Sequence, residues 1–406
     1  MRILLVLPMV PQADGIGGFP KLLYAELSGL RERHELTLVG TFGELPGQAE
    51  AAAALIGSGL DAHFVDRRRS RSARRRWRVR AELASRWATS GWPWRAVSSA
   101  GGVQPVLDRV TSSRKFDLVA IEDSTMSGLR FPAGVPTVLT EHEAFRAPSS
   151  EWQAQRLAER PGAALRRHDW GRWDDFQPTA WQRFDLTQVF CPSDAEAIRA
   201  LRPELAARVR INPFGIALPE PVDPAGEDPD TVLFVGNFTH LPNRDAALWL
   251  AREIMPAVRQ RQPGARLRIV GSSPPREVTA LAGNGVEVIA DAPNIEEHVE
   301  AAAVVMAPVR SGGGMRIKVL EALARGKAVV TTSRGAEGYT EFEPEPPLVI
   351  ADDPEAIASA TADLLADTTR RRELGARASE FARRHYSPSA WAERLETVYE
   401  EARRLG

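Results

Sequence analysis

The apolar positions of this 406-residue chain fall into short runs separated by longer amphipathic stretches. "RILLVLP" is followed by "GIGGFPKLLYAELSGLRER" and then by "ELTLVGTF". "FDLVAIED", "PTVLTEHE", "LTQVFCPS" and "VRINPFGI" continue the series. Short apolar runs bounded by turn residues predict buried strands, and the stretches between them predict helices. Their alternation predicts parallel sheets built from βαβ units. The first run, residues 1–11, reads as a buried strand rather than a signal peptide. Pro8 and Pro11 interrupt it, and no small-residue cleavage site follows.

The rhythm stops at "ALPEPVDPAGEDPD", residues 217–230, which is rich in Pro, Asp and Glu and has no apolar period. It reads as a linker. A second series follows: strands "TVLFVGNF", "ARLRIVG", "VEVIAD", "VVMAPV" and "AVVTT". They alternate with helices "NRDAALWLAREIMPAVRQR", "PREVTALAG", "NIEEHVEAA" and "MRIKVLEALARG". The closing "SPSAWAERLETVYEEARRL" carries apolar residues at Trp391, Leu395, Val398 and Tyr399 on one helical face. The expected organisation is a first domain at 1–216, a linker at 217–230 and a second domain at 231–386. A helix at 387–406 is expected to pack back toward the first domain. Both domains are expected to be α/β, doubly wound and Rossmann-like. In such sheets ligands bind beyond the carboxyl ends of the strands, so a cleft between the domains is the expected site.

Composition narrows the function classes. Basic and acidic residues nearly cancel, 52 against 53, so no global field favours nucleic acid. Cys191 is the only cysteine, which excludes an intrachain disulfide and fits a reducing, cytoplasmic setting. No stretch approaches the ~18 apolar residues of a membrane span. Residues 67–80 hold nine arginines and no acid, and eight of the ten tryptophans lie between Trp77 and Trp181. Arginine beside tryptophan suits an anionic membrane surface, so peripheral membrane contact is expected through residues 67–94. The plainer reading of the run is a solvated Arg-rich helix.

Candidate chemistry concentrates in "RSGGGMRIKVLEALARGKAVVTT", residues 310–332. Gly312, Gly313 and Gly314 permit close backbone approach and positive φ. The helix that begins near Met315 turns its N–H groups and dipole toward an anion. Arg316 and Lys318 add two charges, and Glu321 is placed to accept hydrogen bonds from ribose hydroxyls. The motif reads as a diphosphate cradle, or else as an ordinary helix start with a Lys318–Glu321 surface pair. Gly236, Asn237, His240 and Asn243 line the loop after "LFVGN", and Gly271 ends "RIVG". Gly17 and Gly18 allow close approach after the first strand, though "ADGIGGFPK" is not the dinucleotide fingerprint. His142, between Glu141 and Glu143, reads either as a ligand-touching histidine or as a satisfied structural one. The deaminase partner P-C-x-x-C is absent, so no metal is expected.

Taken together, the N-terminal glycine turn, "FVGNFTHLPNRDA", "RIVG" and "GGGMRIKVLEALARGKAVVTT" resemble GT-B glycosyltransferases of the family 4 type. The likeness is to the bacterial branch with PN-x-D and G-x-R-x-K-x-x-E-A motifs, and it is strongest over residues 231–335. It implies a GT-B fold, with 1–216 as the acceptor domain and 231–386 as the nucleotide-sugar-binding domain, and sugar transfer from a nucleotide sugar to a saccharide, lipid-linked or small-molecule acceptor, generally with retention. Cell-surface polysaccharide or glycoconjugate biosynthesis is the implied setting. The nucleotide sugar is a substrate, and no cofactor is expected. Carried over, Glu321 matches the ribose-binding glutamate and Gly314 and Met315 the diphosphate turn. Gly17 and Gly18 match the N-terminal glycine turn, and His142 the histidine near the donor sugar.

The chain departs from that pattern. Of the two glutamates of E-x7-E, Glu321 is the second and Gly313 stands at the first, which normally contacts the donor sugar. Asn237 stands where an arginine is usual, with Asn243 or Arg244 near the usual lysine. Arg316 and Lys318 are therefore expected to supply the missing catalytic charge. A catalytically silent GT-B subunit, a sugar-nucleotide 2-epimerase on the same scaffold and a membrane-surface scaffold are the rival readings.

Overall fold

The computed structural model describes residues 1–13, 18–43, 46–67, 73–144 and 163–405. The chain forms two compact units. Met1–Ala217 with Pro388–Gly406 makes the first, and Leu218–Ser387 the second.

The first unit is built on a seven-stranded sheet in the order β3-β2-β1-β4-β5-β6-β7, parallel throughout. β1 is Arg2–Leu7, β2 Glu35–Phe42, β3 Asp61–Asp66 and β4 Leu118–Glu122. β5 is Thr137–Thr140, β6 Leu186–Val189 and β7 Val209–Ile211. Central β1 is buried along Ile3–Leu7, which explains why its sequence is a continuous apolar run rather than an alternating one. The apolar-run series does not contain β3. As a half-buried edge strand, "DAHFVD" mixes charge with apolar residues and shows no such run.

The last helix, Pro388–Leu405, belongs to the first unit and buries Trp391, Ala392, Leu395, Val398, Tyr399 and Ala402. It lies against helix α1, Gly18–Leu30. Gly29 makes the approach possible, because a Cβ there would sit 2.4 Å from the Pro388 carbonyl oxygen. Arg33 Nε donates to Glu396 Oε1 at 2.7 Å, and Arg394 Nη2 to the Pro213 carbonyl at 2.7 Å.

The second unit carries a six-stranded parallel sheet, β10-β9-β8-β11-β12-β13. β8 is Asp228–Val235, β9 Arg266–Gly271 and β10 Val286–Ala290. β11 is Ala302–Ala307, β12 Ala328–Thr331 and β13 Val349–Ile350. The first long helix runs from Leu241 to Arg261 with a π turn over Leu250–Ile254. Pro256 comes two residues after the end of that turn; it has no N–H to donate, and the wider turn absorbs the missing bond. The 217–230 stretch, which the sequence marks as irregular, has Val222 N donating to the Arg325 carbonyl at 3.0 Å. Lys327, one of two lysines in the glycine-rich stretch, is fully buried. Its Nζ donates to Glu227 Oε1 (3.1 Å) and to the Glu300 (2.8 Å) and Ala302 (3.0 Å) carbonyls. It fastens the sheet.

Both sheets reverse direction of winding once. In the first unit β1 and β4 are neighbours; in the second β8 and β11 are. These are the topological switch points, where open α/β sheets leave a crevice at the carboxyl ends of their strands.

Candidate functional site

The second unit gathers its sequence-predicted residues at one such point. Gly236, Asn237, His240 and Asn243 follow β8, and residues 308–316 follow β11. The helix Ile317–Ala324 then starts from Arg316. Gly312 (φ 96°) and Gly314 (φ 72°) hold left-handed backbone that side-chain-bearing residues rarely adopt. Gly271, at the end of β9, is required for another reason: a Cβ there would lie 1.7 Å from the Gly236 carbonyl oxygen. Met315 is buried beneath the turn.

The two cations of the motif do different things. Arg316 points back into the glycine turn. Its Nη2 donates to the carbonyls of Gly312 (2.6 Å) and Ser311 (3.2 Å), and Nη1 donates to the Gly313 carbonyl. Tyr339 Oη donates to the Arg316 carbonyl at 2.7 Å. Arg316 therefore shapes the turn. Lys318 reaches the loop after β8, where its Nζ donates to Asn243 Oδ1 at 2.5 Å and lies 4.5 Å from the centre of the Phe234 ring. Asn243 Nδ2 in turn donates to the Asn237 carbonyl at 2.7 Å. Burial, reinforced by the Arg316 charge and opposed by Glu321, pushes the Lys318 ammonium down to about 7. Burial also lowers His240, with the Lys318 charge second.

Sequence reading missed Arg310 and placed Arg244 only as a stand-in for a family lysine. Arg310 forms a two-pronged pair with Asp245 (2.6 and 3.0 Å) and stacks 4.4 Å from the Trp249 ring centre. Arg244 Nε donates to the Phe238 carbonyl, so it serves the loop backbone. Only the D of the PN-x-D motif pointed toward the first of these.

In the first unit Gly17 lies outside the described residues, and Gly18 opens α1. The next residue, Phe19, packs its ring tilted against His142 with ring centres 3.9 Å apart. His142 follows β5; its Nε2 is 2.8 Å from Glu122 Oε2, and the Phe190 ring meets it edge-on at 5.1 Å. Burial pushes His142 down to about 4, so it is neutral at pH 7. Glu141 turns into the core, accepting from Trp181 Nε1 (2.7 Å) and Ser124 Oγ (3.1 Å). Asp123, after β4, holds a strained φ of 74° and accepts from Thr125 N at 2.9 Å. Glu26 and Glu122, both fully buried, were not singled out by sequence reading. The acidic end of the otherwise apolar "FDLVAIED" was the only signal for Glu122, and the lone acid in "KLLYAELSGL" the only one for Glu26.

The Arg/Trp stretch divides. Residues 68–72 and Trp152 lie outside the described residues. The helix Ala73–Ser90 carries Trp77 at 72% exposure and Val79 at 47%. Trp87 packs under the Arg172 guanidinium at 4.2 Å, and Trp92 meets Phe176 edge-on at 5.5 Å. A Cβ on Gly128 would lie 2.3 Å from Trp92. Much of the tryptophan enrichment is thus local core, while Trp77 and Trp94 remain exposed. Among the described residues no helix is long and apolar enough to cross a membrane, and no three His, Cys, Asp or Glu side chains form a metal-binding group.

Residues 229–367 match the protein family described as "Glycosyl transferases group 1". A Klebsiella pneumoniae protein described as "Uncharacterized 44.6 kDa protein in cps region" is 27% identical over 165 residues. That match spans 38% of this chain and 42% of the Klebsiella protein. Among solved structures, Anabaena Alr3699/HepE in complex with UDP and glucose superposes with a TM-score of 0.63 at 13% identity, covering 98% of this chain and 99% of that one. Sucrose-phosphate synthase from Thermosynechococcus elongatus gives 0.61 at 17% identity and 98% of each chain. TarM gives 0.64 at 8% identity and 98% of each. The domain match and these neighbours support a glycosyltransferase. The chain has the GT-B fold, two parallel-sheet Rossmann-like units, and residues 229–367 of its second unit are similar to the glycosyl transferases group 1 family.

Proposed function

We propose that this protein transfers a sugar from a nucleotide sugar to an acceptor, with retention and without a metal ion, and that the β8–β11 switch point binds the donor diphosphate. One observation carries the reading: a glycine turn with two positive-φ residues, a helix N-terminus and the Lys318 ammonium converge there. Backbone N–H groups and a preorganised cation are what a departing diphosphate needs. Lys318, near neutrality without ligand, takes up a proton as the diphosphate arrives. Glu321 binds the ribose, and the neutral His142 imidazole meets a sugar hydroxyl. Arg316 contributes by holding the turn. The UDP and UDP-glucose bound to HepE make uridine diphosphate the first probe. The Klebsiella relative's cps region favours a cell-surface polysaccharide as the product. Trp77, on an arginine-rich helix, favours peripheral contact with an anionic membrane.

A thermal-shift panel with UDP, GDP, ADP, dTDP and their sugar conjugates, run on wild type and Glu321→Ala, tests this. Ligand at 100 times its Kd stabilises by about 2.7 kcal/mol. A shift with one nucleotide that disappears in the variant is the expected result. No shift with any nucleotide would favour the silent-subunit reading, which the Gly313 position already motivates.

A further inference from the structure

The chain turns sharply at the carboxyl end of β4. Asp123 there has φ 74° and ψ 135°, outside the regions that residues with a side chain adopt freely. Three hydrogen bonds hold it. Its N–H donates to the Thr140 carbonyl (2.9 Å), its carbonyl accepts from Met126 N (3.0 Å) and its Oδ1 accepts from Thr125 N (2.9 Å). A glycine would adopt this backbone without strain, and an asparagine would accept equally well from Thr125. Neither demand calls for a carboxylate.

The second carboxylate oxygen is where the acid differs from those substitutes. Asp123 Oδ2 makes no hydrogen bond with another described residue, although the side chain is only 7% exposed. A buried acceptor in that condition needs a donor. Arg95 Nη2 stands 3.9 Å away, too far for a hydrogen bond. Arg95 lies on the short helix Trp94–Ser99, which packs on the turn Ser124–Met126. Its guanidinium is 52% exposed and has no hydrogen bond of its own among the described residues. The gap between the two has the size of one hydroxyl. An oxygen about 2.8 Å from each atom accepts from the guanidinium and donates to the carboxylate, and the two legs then meet near a right angle. The place suits a substrate. β1 and β4 are the neighbours at which the first sheet reverses its winding, and ligands of such sheets lie beyond the carboxyl ends there. His142 follows β5, which pairs with β4 through Glu122 and Thr140.

We propose that Asp123 and Arg95 form a hydroxyl-binding site in the first unit, and that it takes a hydroxyl of a saccharide acceptor. Asp123 Oδ2 accepts the O–H, and Arg95 donates to the same oxygen. The saccharide rests on the transferase reading; the hydroxyl site rests on the geometry of this unit alone.

The test is saturation-transfer NMR on full-length protein, with and without UDP, using the methyl glycosides of glucose, galactose, mannose and rhamnose. Wild type should bind at least one of them. Asp123→Asn keeps the bond from Thr125 N through its amide oxygen and turns an NH2 toward the gap, where no hydroxyl can donate to it. It should melt like wild type and weaken that glycoside at least ~tenfold, the effect of losing a hydrogen bond to a charged group. Arg95→Met should weaken it by a similar factor. UDP affinity should be unchanged in both variants. Asp123→Gly should melt above Asp123→Ala, because only alanine keeps the strained backbone. Unchanged glycoside affinity in Asp123→Asn overturns the proposal, as does a wild type that binds none of the four. The reverse melting order overturns it too, by removing the reason for an acid at this position. If UDP gives no thermal shift while a glycoside binds and is lost in Asp123→Asn, the hydroxyl site stands and only the transferase reading fails.

Discussion

Replacing Lys318 with methionine should make the second unit more stable and the protein worse at binding nucleotide. The ammonium is half-buried, bonded to the neutral Asn243 amide, and among the described residues it has no ion pair. Its displacement from 10.5 to about 7 sets a ceiling of ~5 kcal/mol on the cost of keeping it charged. Partial solvent access reduces that to roughly half. Methionine keeps the contact with Phe234 but loses the bond to Asn243, which takes back about 1 kcal/mol. The net gain is about 1.5 kcal/mol, or roughly 4 °C in Tm for a unit of this size. The sign with pH is fixed. A lysine whose folded pKa is depressed costs stability fully below about 7, and the cost fades as pH rises toward 10.5. Differential scanning fluorimetry at pH 6, 7.5 and 9.5 should therefore show Lys318→Met melting above wild type, with the gap narrowing at high pH. The UDP-induced shift should be smaller in the variant at pH 6 and 7.5. A variant that melts below wild type at pH 6, or a gap that does not narrow, would refute the reasoning.

Other perturbations separate architecture from chemistry. Gly271→Ala should cost at least ~3 kcal/mol, seen as a lower Tm or loss of soluble protein, because its Cβ would have to displace the Gly236 carbonyl. Arg316→Ala with Lys318→Ala should raise donor KM and lower kcat at least tenfold, about 1.4 kcal/mol, once the donor is known. An unchanged rate would remove both residues from the mechanism. Trp77→Ser should weaken cosedimentation with phosphatidylglycerol vesicles about tenfold and leave nucleotide binding untouched, because the ring is 72% exposed and has no core to lose.

How legible the protein was depends on what each feature needed. The central strands could be read because a strand buried on both faces must be a continuous apolar run, as Ile3–Leu7 and Val232–Phe234 are. Of the four edge strands, β7 and β10 were legible as "VRINPFGI" and "VEVIAD", while β3 and β13 escaped. β3 mixes charge into a half-buried face, and β13 is two residues long. The glycines at 312, 314 and 271 stood out because backbone geometry leaves few substitutes there. The division of labour between Arg316 and Lys318 did not. Both are cations two residues apart, and only the fold shows one turned to its own carbonyls and the other to Asn243. The tryptophan enrichment misled in part, since composition cannot tell Trp92 against Phe176 from Trp77 in solvent.

The charge accounting at the β8–β11 switch point explains why the unliganded domain tolerates a costly lysine. Arg310 is neutralised by Asp245, Arg244 serves the Phe238 carbonyl, and Arg316 serves the carbonyls of residues 311–313. Each of these is held in place by a bond it would keep with ligand bound. Lys318 is desolvated against the neutral Asn243 amide, with Glu321 near enough to oppose its shift, and unlike a guanidinium its charge can be lost near pH 7. A carboxylate in contact would have stabilised the empty site and competed with any anion that entered. Its absence leaves the free energy unspent until an anion brings the opposite charge. Binding then draws a proton onto Lys318, so affinity for a diphosphate should fall as pH rises through 7 and beyond.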